Sequence, residues 1–66
     1  MNTRAKERKI EKLHEASMLV MDEFEYHIIQ VDEKNDLVHL SDNETRDEVV
    51  ISIDDIDLYK PGVQLY

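Results

Sequence analysis

Between Ile10 and Phe24 the chain repeats at three or four residues. Ile10, Leu13, Ser17, Val20 and Phe24 fall on one stripe, and Ala16 and Met21 widen it. That spacing is the signature of an amphipathic helix, and it predicts a firm helix over about residues 5–22. Cations crowd the first turn and oppose the helix dipole, so the first few residues are expected to fray.

Beyond Phe24 the period shortens. "YHIIQV" (26–31) is β-branched and aromatic, "DEKND" is a cluster of turn formers, and "LVHL" (37–40) is again apolar. The three together predict a hairpin with a five-residue loop. "SDNETR" reads as a longer polar loop. "EVVISI" (48–53) is the strongest strand, with Val49, Ile51 and Ile53 on one face. "DDI" reads as a tight turn. "DLY" and "VQLY" read as short edge strands separated by Pro61–Gly62. The expected architecture is α+β: one domain, residues 1–66, with an N-terminal amphipathic helix on a small antiparallel sheet of three to five strands over about 25–66.

Composition narrows the function classes. A 66-residue chain without cysteine has no disulfide or thiolate metal site to reinforce a small core. A self-association interface, most simply a homodimer, is the expected extra source of buried area. The absence of cysteine fits a reducing cytoplasm. No segment approaches the roughly 20 apolar residues of a membrane span, so no membrane role is expected.

Charge is uneven. The formal net charge is −8. Residues 1–12 hold Arg4, Lys6, Arg8, Lys9 and Lys12 against two acids, whereas residues 13–66 hold three cations against 14 acids. An acidic body repels phosphate and membrane surfaces and attracts basic proteins. Direct nucleic-acid binding by that body is not expected. The role of the basic N-terminus stays open.

From Tyr26 to Tyr59 the order is strand, acidic turn, strand, polar loop, strand, then "IDDI". This pattern resembles SH3-like or Sm-like small barrels, in which a short 3₁₀ turn carrying an apolar residue precedes the last strand. It is similar, more narrowly, to the YolD-like proteins of Gram-positive bacteria and their phages, which join a helical part to a comparable β-module and are encoded near error-prone DNA polymerases. That resemblance implies an accessory module docking through its helix on a polymerase or transcription factor. In kind, the chain is also similar to small acidic phage proteins that inhibit host DNA-binding proteins or nucleases by imitating DNA.

The candidate sites follow from these patterns. Asp54, Asp55 and Asp57 are not placed to converge on one cleft as a carboxylate pair would. "DEKND" and "SDNETRDE" lack the glycine and spacing of a calcium loop. His14, His27 and His39 are not at H-x₃-H spacing, although His27 and His39 are candidate cross-strand neighbours. With one glycine there is no phosphate-cradling loop. No catalytic residue, metal ligand or cofactor is therefore expected.

The expectation is a non-enzymatic acidic protein that inhibits a basic nucleic-acid-binding protein by DNA mimicry, as in phage takeover of a host. Asp42, Glu44, Asp47, Glu48, Asp54, Asp55, Asp57 and Tyr59 are the candidate partner-binding residues. Leu13, Ser17, Val20, Met21 and Phe24 are the candidate self-association or docking stripe. Two alternatives are the YolD-like accessory module and a small structural subunit of a larger assembly.

Overall fold

The computed structural model describes residues 3–66 and, for Thr3, the backbone alone. Helix α1 spans Thr3–Glu15. Five strands follow: β1 (Met18–Met21), β2 (Phe24–Asp32), β3 (Leu37–Asp42), β4 (Glu48–Ser52) and β5 (Gln64–Leu65). A 3₁₀ turn, Ile53–Asp55, follows β4 directly. The strands form one sheet in the order β4-β3-β2-β1-β5, and every paired neighbour is antiparallel. The α+β architecture expected from the sequence is present, with the helix on a five-stranded sheet.

The helix is shorter than its periodicity predicts. It stops at Glu15, and residues 18–21 are a strand. The reason lies in both edges of β1. Leu19 pairs with Tyr26 of β2 on one side and with Leu65 of β5 on the other. The Ser17 and Met18 amides both donate to the Tyr66 carbonyl, and the Ile28 amide donates to the Ser17 carbonyl. A helix through Met21 would strand the neighbouring strands' backbone groups. It would also leave Leu19 off the apolar stripe, whereas Leu19 is fully buried here. The stripe Leu13, Ser17, Val20, Met21, Phe24 is therefore not one helical face. It is divided among α1, the bend after it, β1 and the start of β2.

The β1–β2 connection is a two-residue turn, with Asp22 and Glu23 both at positive φ, 53° and 72°. Two consecutive left-handed residues match the strand twist, but Asn-Gly is the usual sequence for this turn. Asp-Glu gives no such signal, which explains how the hairpin escaped the sequence pattern.

β2 carries an irregularity between Ile28 and Gln30. Beyond it Gln30, not His27, faces His39, and His27 faces Ser41. The two histidines are thus not cross-strand partners. The β2–β3 loop has four residues, 33–36, one fewer than predicted. "DLY" is not a strand: Asp57 is irregular, and Leu58 and Tyr59 lie in a turn. Only Gln64–Leu65 of "VQLY" forms β5.

The core is Leu13, Leu19, Val38, Leu40, Ile53, Ile56 and Val63. Alternation along β4 is as expected, since Val49 and Ile51 are half-buried while Val50 is exposed. The 3₁₀ turn contributes Ile53, and the residue after it, Ile56, is also fully buried. These two isoleucines close the core just past the end of β4.

Candidate functional site

The predicted partner-binding acids occupy two places. Ser41 pairs with Glu48 at one end of the β3–β4 ladder and Leu37 with Ser52 at the other. Those rungs are four residues apart, or about 14 Å at the usual strand rise. Asp42, Glu44, Asp47 and Glu48 belong to the first end; Asp54, Asp55, Asp57 and Tyr59 follow the second.

At the second end the charge is answered from within the chain. The Lys6 ammonium lies 2.6 Å from Asp36 Oδ1 and 3.3 Å from Asp54 Oδ1. The Ser52 hydroxyl donates to Asp36 Oδ2 at 3.2 Å and accepts the Asp54 amide at 3.2 Å. The Lys9 ammonium donates to the Ile53 carbonyl at 3.2 Å. The hydrogen bond from Lys6 holds the Asp36 carboxyl below its ordinary range, and the same contact raises the Lys6 ammonium. Asp36 is presented to Lys6 by a positive φ of 61° at the end of "DEKND". That loop is itself tied by Asp32, whose carboxylate accepts the Asn35 side-chain and backbone N–H groups at 2.8 and 3.1 Å. Those bonds, the side-chain one foremost, keep the Asp32 carboxyl below its usual value. The basic N-terminus, whose role the sequence left open, thus holds the helix to the aspartate turn.

Asp57 is also engaged, accepting the Tyr59 amide at 3.0 Å. Tyr59 itself is 88% exposed. An open groove of about 370 Å³ runs between the Lys6–Lys12 face of α1 and the segment Ile56–Tyr59.

The first end is different. Asp42 organises its loop: one carboxylate oxygen accepts the Glu44 and Thr45 amides at 2.8 and 3.1 Å. Asn43 ties the loop to β2, donating its amide to the Glu25 carbonyl at 2.9 Å and its side-chain N–H to the Glu25 carboxylate at 3.3 Å. The β1–β2 turn arrives at this same end, bringing Glu23, Phe24 and Glu25. A cleft of about 250 Å³ results, lined by Glu23, Phe24, Glu25, Asp42 and Glu44. Segments 22–25 and 42–48 together hold seven carboxylates and one cation, Arg46. Lys60 approaches Asp22 at 3.9 Å. The Phe24 ring is 57% exposed and leans on Tyr26, with centroids 6.4 Å apart.

Phe24 was grouped by periodicity with the docking stripe, yet the fold sets it among the acids. Glu23 and Glu25 were missed as members of this cluster, because only the β1–β2 hairpin brings them beside Asp42. Leu13, first in the stripe, is fully buried in the chain's own core, whereas Val20 and Met21 are half-buried on β1 and Ser17 is exposed after α1.

The histidines stand apart from one another. His14 pairs with Glu33 at 2.9 Å, His27 with Asn43 at 2.8 Å and His39 with Glu48 at 3.2 Å. Among the described residues no three His, Asp or Glu side chains are grouped to hold a metal ion. No described helix is long and apolar enough to cross a membrane. No protein-family model matches the chain, and neither a curated protein nor a solved structure matches it.

Proposed function

We propose that the chain is a non-enzymatic interaction protein whose acidic end, centred on Phe24, covers a basic nucleic-acid-binding surface of another protein and so competes with nucleic acid. The carrying observation is the Phe24 cleft: an exposed aromatic ring bordered by Glu23, Glu25, Asp42 and Glu44. Aromatic anchors supply much of the affinity of protein interfaces when surrounded by groups that exclude water. Carboxylates around such an anchor steer a cationic partner and fix its orientation. Phosphate is repelled by the same field, so the partner is a basic protein and not nucleic acid itself. Asp54, Asp55 and Asp57 are assigned a smaller part, because Asp54 is engaged with Lys6 and Asp57 with its own turn.

The strand order β4-β3-β2-β1-β5 and the 3₁₀ turn Ile53–Asp55 before β5 support an SH3-like reading of the fold. The YolD-like alternative of docking through a helix stripe loses support, since Leu13 faces the chain's own core and Val20, Met21 and Phe24 are not helical.

The test is competition. Immobilised protein is expected to retain basic DNA-binding proteins from its native host, releasing them steeply with salt and to added duplex DNA. The double variant Glu44→Lys with Asp47→Lys is expected to lose that retention. It spares Asp42, whose carboxylate builds the loop. Retention of neutral or acidic proteins alone, or release that ignores salt and DNA, overturns the proposal.

A further inference from the structure

The groove beside α1 has the opposite character from the Phe24 cleft, and it does not rest on the function proposed above. Its floor is apolar: Ile56 is fully buried, Leu58 half-buried, and the Tyr59 ring is open to solvent. Its rim is cationic. Lys6 and Lys9 are engaged with Asp54, Asp36 and the Ile53 carbonyl, which leaves Arg8 and Lys12. The Lys12 ammonium sits 6.0 Å from the centre of the Tyr59 ring. The Arg8 side chain has no ion pair or hydrogen bond among the described residues. Arg8 and Lys12 are four apart on α1 and so project from one face. Of the two acids in the lining, Asp54 is matched by Lys6, and Asp57 accepts the Tyr59 amide.

We propose that this groove binds a short acidic segment of a partner protein, one carboxylate meeting Arg8 and Lys12 while an adjacent aromatic or large aliphatic side chain lies on Leu58 and Tyr59. The charge complementarity is local. Two open cations stand over an apolar floor, in a chain of net charge −8. A guanidinium fork suits a carboxylate in bidentate geometry. The volume, about 370 Å³, is at the small end of ligand sites and suits one or two side chains. A nucleic-acid strand fits the exposed tyrosine equally well, but its successive phosphates beyond the groove would meet the repulsion of the acidic body. A peptide with one or two carboxylates meets far less.

The experiment uses the full chain, isotope-labelled for amide chemical-shift mapping, and a short peptide of alternating Glu and Phe as probe. Saturable shifts confined to residues 5–12 and 56–59 are expected. Arg8→Glu, a change at an exposed helix position, is expected to weaken binding at least about tenfold, as loss of a charge-assisted hydrogen bond does. Tyr59→Ala, at an exposed turn, should weaken it without lowering the thermal midpoint. A matching peptide of Lys and Phe should leave the groove unshifted. The proposal is overturned if the Glu-Phe peptide causes no shifts, or shifts at the Phe24 end instead. Equal binding by Arg8→Glu, or groove shifts by an oligothymidylate at lower concentration than by the peptide, also overturns it.

Discussion

At one end of the β3–β4 ladder, Asp36 and Asp54 close on Lys6, and Ser52 bridges them. At the other end, Asp42, Glu44, Asp47 and Glu48 surround a loop whose only cation is Arg46, with Glu23 and Glu25 added from the neighbouring turn. The two ends are almost equally acidic as strings of letters. They differ because α1 crosses only one of them. Where the helix lies, Lys6 neutralises Asp36 and Asp54 and two isoleucines seal the core beneath. Where it does not, Glu44 and Asp47 have no ion pair among the described residues and a phenyl ring stays exposed. Like charges held together without compensation destabilise a compact state. The Phe24 end is therefore where a partner has most to offer, and the Lys6 end is where stability resides.

The contrast is broken most directly by removing its apolar anchors. Ile56→Ala is expected to cost about 2–5 kcal/mol, the usual result of emptying a fully buried site. In so small a domain that is a large part of the whole stability. Phe24→Ala, at the acidic end, is expected to cost about 1 kcal/mol or less, chiefly through its ring contact with Tyr26. Urea melts of the two variants compare the ends directly, and equal losses would remove the distinction.

The pH dependence sharpens it. Asp32 and Asp36 have lowered carboxyl pKa values, so their stabilisation is present above the unfolded value of about 3.9 and is lost as pH falls through the lowered values. Lys6 is raised, so its contribution is present below the unfolded lysine value of about 10.4 and is lost as pH rises through the raised one. Asp36→Asn is expected to flatten both the acid limb, leaving Asp32's share, and the alkaline limb. Thermal midpoints measured across pH check this, and limbs unchanged by the variant would mean the ion pair does not hold that end.

The smallest effect concerns the β1–β2 turn. Glu23→Gly relieves a non-glycine residue at φ 72° and is expected to raise stability by about 0.5–1 kcal/mol. A lowered midpoint would show that the Glu23 side chain does more for the fold than its backbone costs it.

Much of this was legible beforehand. β-Branched and aromatic composition located β2, the turn formers of "DEKND" framed β3, and alternation marked β4, each to within a few residues. "DDI" was read as a turn, and Ser52 ahead of it is the cap that such a turn needs. The helix end was misread because Met18–Met21 satisfies two periods at once. Met18 and Leu19 both lie off the helical stripe, and Leu19 is fully buried only as part of the strand. The acid cluster at Phe24 had no local signal at all, since its members lie on separate turns.

By itself, then, the sequence determined an α+β chain with three central strands, an acidic body and a basic first segment. These depend on composition and on neighbours a few residues apart. Only the tertiary structure decided that Met18–Met21 is a strand, because pairing with β2 and β5 satisfies more backbone groups than four further helical residues would. It also decided which acids are neutralised, because a carboxylate's surroundings depend on the segment folded against it. For Asp36 and Asp54 that segment is α1, and for Glu44 and Asp47 it is solvent.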